Sequence, residues 1–367
     1  MMKSLLLVVF SFSFIGTTLA QNADSTIIVS DSTSADTSIV RSITAFPILF
    51  YLPETSLSFG ALGIATFNIG KEKSWRPSQV DLAFAYTLKK QVLIFSAYEL
   101  YYQQKWKMQG EVGYYKYFYN YYGVGPNSKE ENLETFDANF PRVINTLSYR
   151  ISPTNLIGFR THLDAFKIRN QDSLLLAESP TGVNGGTFFS TGLTYSLDTR
   201  DNIFYPREGF YVNFISEFSS KQFLSDFDAS LFQLGASYYF EFAKNHILAS
   251  NITTGTVLGD APFFIYNYLS SSKLGRGHAN RRFIDRSIAI LETEYRFPIY
   301  KRLRGSAFGA IGNVSGEYSQ LFASRMKLSG GVGLRFQLNK KIMNHIRLDV
   351  AASREGVQFY VTFGEAF

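Results

Sequence analysis

The sequence predicts an all-β chain, a transmembrane antiparallel β-barrel of about sixteen strands. Three observations predict it. The last residues alternate strictly: Val357, Phe359, Val361, Phe363 and the terminal Phe367 fall on one face of an extended strand, and Gln358, Tyr360, Thr362, Gly364 and Ala366 on the other. Aromatic residues make up 16% of the chain, yet no stretch reaches the roughly 18–20 uninterrupted apolar residues of a membrane helix. Strand-like runs recur from about Ile43 to the end, with turn signals between them.

The amino terminus reads as a secretory signal over residues 1–20. Lys3 supplies the positive flank, Leu5 to Gly16 the apolar centre, and Thr18-Leu19-Ala20 a cleavage site near Ala20. Residues 21–42, rich in Ser, Thr and Asp, are expected to be a flexible periplasmic lead-in, with the barrel occupying 43–367. The chain has no cysteine, which excludes a lipoprotein anchor, disulfides and thiolate-bound zinc. Its net charge of +6 comes from Lys and Arg scattered among strands and turns, not clustered as a nucleic-acid surface requires. Such a balance suits anionic lipid headgroups or a charged lumen.

In order, strands are expected at 46–51, 56–69, 78–88, 91–103, 105–118, 141–151, 154–168 and 186–198. The second half adds 209–218, 228–243, 246–257, 286–298, 303–313, 325–338, 344–353 and 357–367. Val80, Leu82, Phe84, Tyr86 and Leu88 oppose Asp81, Ala83, Ala85 and Thr87; Phe189, Leu193, Tyr195 and Leu197 oppose Ser190, Gly192, Thr194, Ser196 and Asp198. A wall with lipid outside needs this division, since a charge facing lipid near the midplane costs about 2–4 kcal/mol. With a periplasmic amino terminus, connections after even strands should be short and those after odd strands long. Tight connections fall at Gln104, Ser152-Pro153, Lys244-Asn245 and Pro298 to Arg302. The long ones, at 119–140, 169–185 and 258–285, all follow odd strands; short odd connections near Pro53 and Lys89 are the exceptions.

The connection after the eleventh strand contains Leu274-Gly275-Arg276-Gly277-His278, followed by Glu294-Tyr295-Arg296-Phe297-Pro298. Here the sequence resembles the outer-membrane assembly and secretion superfamily of the BamA/TamA type, the bacterial surface antigen family. Four further segments share the likeness. They are Leu197 to Asn202 with Pro206 and Gly209, Phe46-Pro47 with Pro53-Glu54-Thr55 and Phe59-Gly60, Tyr122 to Gly125, and Gly330-Gly331-Val332-Gly333 to the end. The resemblance implies a sixteen-stranded barrel whose Arg-Gly loop, between strands 11 and 12, folds back into the lumen. It also implies insertion or translocation of protein, or lipid, at the bacterial outer membrane.

Glycines at 275 and 277 allow a tight turn and a close approach to the wall, and Arg276 is a permanently charged fork suited to carboxylates. Alternation turns Glu292, Glu294 and Arg296 of strand twelve inward, with Leu291, Tyr295 and Phe297 facing lipid; strand fifteen turns Arg347 and Asp349 inward. Arg276 is therefore expected to pair with Glu294 or a neighbouring acid, Glu292 or Asp349, and to lock the loop inside. Two departures stand against the family pattern. Where that family carries Phe-x-Asp-x-Gly after the loop, this chain has Phe308-Gly309-Ala310-Ile311-Gly312, with Ala310 in place of the acid. About twenty residues between the signal and the first strand are too few for the periplasmic polypeptide-transport-associated domains of inserting and secreting members.

Three function classes follow. The first is an insertion or translocation barrel opening at the seam between Phe46–Tyr51 and the last strand, with Phe359, Phe363 and Phe367 as seam and C-terminal signal. Its partners would be outer-membrane lipid and an unfolded barrel client or envelope protein. Pro47 and Pro53 remove donors from the first strand and should weaken its pairing. The second is a passive or plugged pore, or a structural subunit of an outer-membrane complex. The third, a hydrolase, is disfavoured: His162, His246, His278 and His345 show no evident partnering, and no metal spacing, cofactor motif or phosphate-cradling loop appears.

Overall fold

The computed structural model describes residues 41–52, 56–69, 77–169, 173–271, 273–337 and 345–367. The expected signal over 1–20, the expected lead-in up to residue 40, and Pro53, Glu54 and Thr55 lie outside the described residues. The strands are β1 (Arg41–Leu52), β2 (Ser56–Phe67), β3 (Ser78–Thr87), β4 (Val92–Tyr102), β5 (Trp106–Tyr121), β6 (Glu134–Arg150), β7 (Asn155–Arg169) and β8 (Gly185–Asp198). There follow β9 (Gly209–Ser219), β10 (Ala229–Ala243), β11 (His246–Gly259), β12 (Asn267–Tyr268), β13 (Ile284–Asp285) and β14 (Ser287–Tyr300). The last are β15 (Leu303–Ser315), β16 (Lys327–Gln337), β17 (His345–Ser353) and β18 (Gly356–Phe363).

One sixteen-stranded antiparallel sheet takes β1 to β11 and β14 to β18 in chain order, while β12 and β13 pair as a small ribbon within the β11–β14 connection. No ladder joins β1 to β18 among the described residues. Long connections such as 122–133, 170–184 and 260–286 leave from one edge, and tight ones such as 103–105, 244–245 and 301–302 from the other.

The strands form because their side chains alternate, and the alternation is inverted relative to a water-soluble sheet. Leu82, Phe84 and Leu88 are exposed while Asp81, Ala83, Ala85 and Thr87 are buried. Leu193, Ile252, Leu291, Val332 and Leu348 are likewise exposed, whereas Ser190, Asn251, Glu292, Arg335 and Asp349 are buried. Burial of the polar face follows from curvature. The 260–286 connection touches strands far apart in the sheet order: Arg281 lies over the ring of Tyr119 in β5 at 5.3 Å, and Gly277 N–H donates to Tyr360 Oη in β18 at 2.9 Å. The sheet therefore curls round this connection. Between β5 and β8 the enclosed face is aromatic. Tyr115 stacks on Phe140, Phe140 on Phe166, and Phe166 on Phe264 of the connection, with the closest centroids 4.0 Å apart.

Four boundaries differ from the sequence expectation by more than two residues. β1 begins at Arg41, five residues early, and so takes the end of the expected lead-in. β5 runs on to Tyr121 and β6 begins at Glu134, shortening the expected 119–140 loop. Pro141 hid the strand. Its β7 ladder skips from Asn139↔Lys167 to Arg142↔Asp164, yet the register is unbroken. Finally, β18 stops at Phe363, so Phe367 does not share its outer face. Gly364 has φ +70°, a turn conformation open to glycine, and Phe367 ends against the Arg296 guanidinium at 5.8 Å.

An apolar outer face of this kind calls for an apolar solvent. Leu193, mid-strand in β8 and 62% exposed, is a direct test. Leu193→Arg should destabilise the protein in phospholipid vesicles by about 2–4 kcal/mol, measured by reversible denaturant titration. An unchanged midpoint would show that lipid does not cover this face.

Candidate functional site

The β11–β14 connection is built to press its centre against the wall. Its base is held by the β12–β13 ribbon and by Leu269 N–H donating to Phe283 C=O at 3.0 Å. Leu269, Leu274 and Phe283 then pack on Ile288, Ile290, Ala310 and Val314. Ala310 is thus part of an apolar contact. Gly275 adopts φ +63°, and a Cβ there would lie 1.9 Å from Leu269 O, so no other residue fits without moving the backbone. Its N–H donates to Glu292 Oε2 at 3.1 Å.

The close approach delivers Arg276 into a fully buried carboxylate cage. Its Nε and Nη2 donate to Glu292 Oε1, Nη2 also to Glu294 Oε2 at 2.8 Å, and Nη1 to Asp349 Oδ2 at 2.6 Å. The Phe308 ring lies 3.5 Å from the guanidinium carbon and closes the remaining face. Gly277 continues the attachment through Tyr360, and its C=O accepts from Ser353 Oγ at 2.8 Å. The loop is therefore fastened to β14, β15, β17 and β18.

The structure brings together Gly275, Arg276, Gly277, Glu292, Glu294 and Asp349. It places the three phenylalanines elsewhere: Phe359 is 76% exposed on the outer face, Phe363 ends β18, and Phe367 turns toward Arg296. Sequence reasoning did not name Arg335, which cross-links the cage. Its Nη1 donates to Asp349 Oδ1 at 2.5 Å, Nη2 to both oxygens of Glu294 at 3.1 Å, and Nε to Glu365 Oε2 at 3.2 Å. The signal was present, since Arg335 shares a face of β16 with Gly333. A Cβ on Gly333 would sit 2.1 Å from Asp349 Oδ1 and 2.2 Å from Arg335 Nη1, so that glycine makes room for the network.

Three of the four histidines require a correction: His278, His246 and His162 are partnered. His278 Nδ1 lies 2.6 Å from Glu355 Oε2, linking the loop to the β17–β18 turn, and His246 Nδ1 lies 2.6 Å from Tyr295 Oη. His162 bridges Asp164 (3.1 Å) and Glu217 (3.3 Å) in a second buried network. There Arg142 grips Asp164 through two bonds of 2.8 and 2.7 Å, and Arg160 and Ser190 hold Glu217. These partners come from β6 to β9, and their spacing along the chain carries no local pattern.

Removing one member of a buried ion network strands the others without a counter-charge, at a cost of about 3–5 kcal/mol. Arg276→Ala and Glu294→Gln should each lower the temperature at which heat-modified gel mobility changes, and Gly275→Ala should do so by displacing the loop backbone. Unaltered transitions in all three would mean the loop is not fastened here. A pH effect follows from His278. Burial, reinforced by Lys327 and Arg282, holds it below the ordinary imidazole value against the pull of Glu355. An imidazole depressed by folding binds its proton less well in the native state. Its contribution is complete above about pH 6.5 and is lost as pH falls from there toward the folded value. The transition temperature should drop more between pH 7.5 and 5.5 in the parent than in His278→Asn; equal drops would remove His278 from the latch.

Comparison with solved structures finds a similar fold in two proteins. BamA from Haemophilus ducreyi, in a crystal structure lacking POTRA domains 1–3, is similar with a TM-score of 0.63 at 14% identity, over 89% of this chain and 70% of that one. CdiB from Acinetobacter baumannii is similar with a TM-score of 0.54 at 10% identity, over 89% of this chain and 65% of that one. No curated protein sequence matches the chain. The family described as the Omp85 superfamily domain does match, from residue 76 to residue 367. That span is well over half of the sequence and includes the loop, its carboxylate cage and every strand from β3 onward: the chain belongs to the Omp85 superfamily.

Proposed function

We propose that the sheet closes into a sixteen-stranded barrel in the bacterial outer membrane and assists insertion or translocation of protein there, with the Arg276 loop as an internal strut. The observation that carries this reading is the buried cage around Arg276, which ties an external connection to strands beside the end of the sheet order. Inverted polarity supports the membrane setting, because lipid tolerates an apolar outer face and no unpaired edge. Curling of the sheet round one connection supports closure. The likeness to BamA and CdiB, proteins of the same architecture, supports the assignment to protein traffic at that membrane. In this reading β1 and β18 meet at a seam, the outer phenylalanine Phe359 faces lipid, and an unfolded barrel client or an envelope protein is the partner. No catalytic chemistry is assigned to the chain.

A second reading has its own support. Stacked rings of Tyr115, Phe140, Phe166 and Phe264, together with the Arg142–Asp164 and Arg160–Glu217 pairs, occupy the enclosed face away from the loop cage. So filled an interior also suits a plugged pore or a structural subunit.

Client insertion separates the two. Purified protein in liposomes should accelerate folding of an unrelated unfolded barrel, followed by protease protection, and Arg276→Ala should lose most of that acceleration. Wild-type protein that gives no acceleration over empty liposomes would refute the insertion reading. Ion conductance appearing in planar bilayers only after the 260–286 connection is deleted would then support the plugged pore.

A further inference from the structure

Beyond Glu294, toward the tight-turn edge of the sheet, lies another group of buried cations. Arg304, near the start of β15, is only 9% exposed, and its Nε and Nη1 have no hydrogen-bond partner among the described residues. The neighbouring acids face other cations: Glu294 faces Arg276, Arg296 and Arg335, and Glu365 faces Arg335, Arg296 and His345. A buried guanidinium without a carboxylate is costly unless some other anion reaches it.

The other groups converge on one ring. Tyr205, fully buried, comes from the 199–208 connection on the tight-turn edge. Asn202 Oδ1 accepts the N–H groups of Phe204 and Tyr205 at 2.8 and 2.9 Å and fixes the ring's position. The Arg304 guanidinium carbon lies 4.6 Å from the Tyr205 centroid, that of Arg296 5.7 Å, and the His345 ring 4.7 Å. Arg296 in turn lies 6.0 Å from the Tyr239 ring. Arg296 Nη2 donates to the terminal oxygen of Phe367 at 3.1 Å, but its Nη1 is unpartnered among the described residues. So are Tyr205 Oη, Tyr239 Oη and Ser306 Oγ, all on residues no more than 2% exposed.

We infer that Arg304, Arg296, Tyr205, Tyr239 and Ser306 form a binding site for a phosphate group. The donor number selects the ligand. Arg304 offers three N–H donors, one on Nε and two on Nη1, Arg296 two on Nη1, and the hydroxyls three more. A carboxylate has about four lone-pair positions, too few for this set, whereas a phosphate monoester brings three strongly accepting oxygens and about two negative charges. Two guanidinium forks on one ring are the usual protein answer to such an anion. The phosphate comes either as free inorganic phosphate or as the headgroup of a lipid reaching the tight-turn mouth.

The test uses full-length protein in a phosphate-free alkyl-maltoside detergent. Isothermal titration with inorganic phosphate, and separately with a short-chain phosphatidic acid, should give saturable binding that sodium chloride at equal ionic strength does not. Arg304→Gln and Tyr205→Phe should each weaken it at least tenfold; Tyr205→Phe keeps the packed ring and so guards against simple misfolding. Binding of phosphatidic acid alone would support the site with a lipid as the source, and binding of both would support free phosphate. Absence of binding by the wild type, or binding unchanged in both variants, would overturn the inference. None of these readouts depends on client insertion, so the site and the proposed function fail separately.

Discussion

A guanidinium surrounded by three carboxylates, all out of water, is an interaction that no member can leave alone. Arg276 could not enter its cage without Gly275, whose missing Cβ admits the Leu269 carbonyl. The cage could not lie flat against the wall without Gly333, and Arg335 could not cross-link it without Glu294 and Asp349 on neighbouring faces. The strands that carry these groups, β14, β16 and β17, are held in register by the same charges that hold the loop. Position is thus imposed on the connection by electrostatics, with the Leu269–Phe283 contact as its apolar footing.

The sheet as a whole obeys a complementary constraint. Many of its polar side chains pair with one another because curvature encloses them, and its apolar side chains are turned outward. Two of the networks of buried acids and bases, one around Arg276 and one around His162, sit on different strands. Such a division keeps each charged group beside its own counter-charges, which matters where the surrounding dielectric is low. The second group has the density of a structural lock, since Asp164 and Glu217 are each held by an arginine and by His162.

Much of this was legible in the sequence, for a plain reason. Period-two alternation fixes faces, so Glu292, Glu294 and Asp349 could be named as inward acids and Leu193 or Leu291 as outward apolar residues. Alternation does not say what lies across the enclosed space. Tyr115, Phe140 and Phe166 read as strand aromatics, and nothing local shows that they meet Phe264 from a connection about a hundred residues later. Arg335 was overlooked among glycines, although its face was readable. The start of β6 was lost because Pro141 interrupts the pattern at a point where the ladder only skips. The end of β18 was overextended because Gly364 allows the chain to leave the sheet while the alternation of residue types continues.

The residues after β18 are engaged by buried cations. Phe367 offers its terminal oxygen to Arg296 while its ring lies beside the same guanidinium, and Glu365 is taken up by Arg335. Affinity tags or fluorescent fusions appended after Phe367 would therefore crowd the contacts of Arg296 and Arg335. Labels for biophysical work belong instead on an outward loop such as 316–326, away from these contacts.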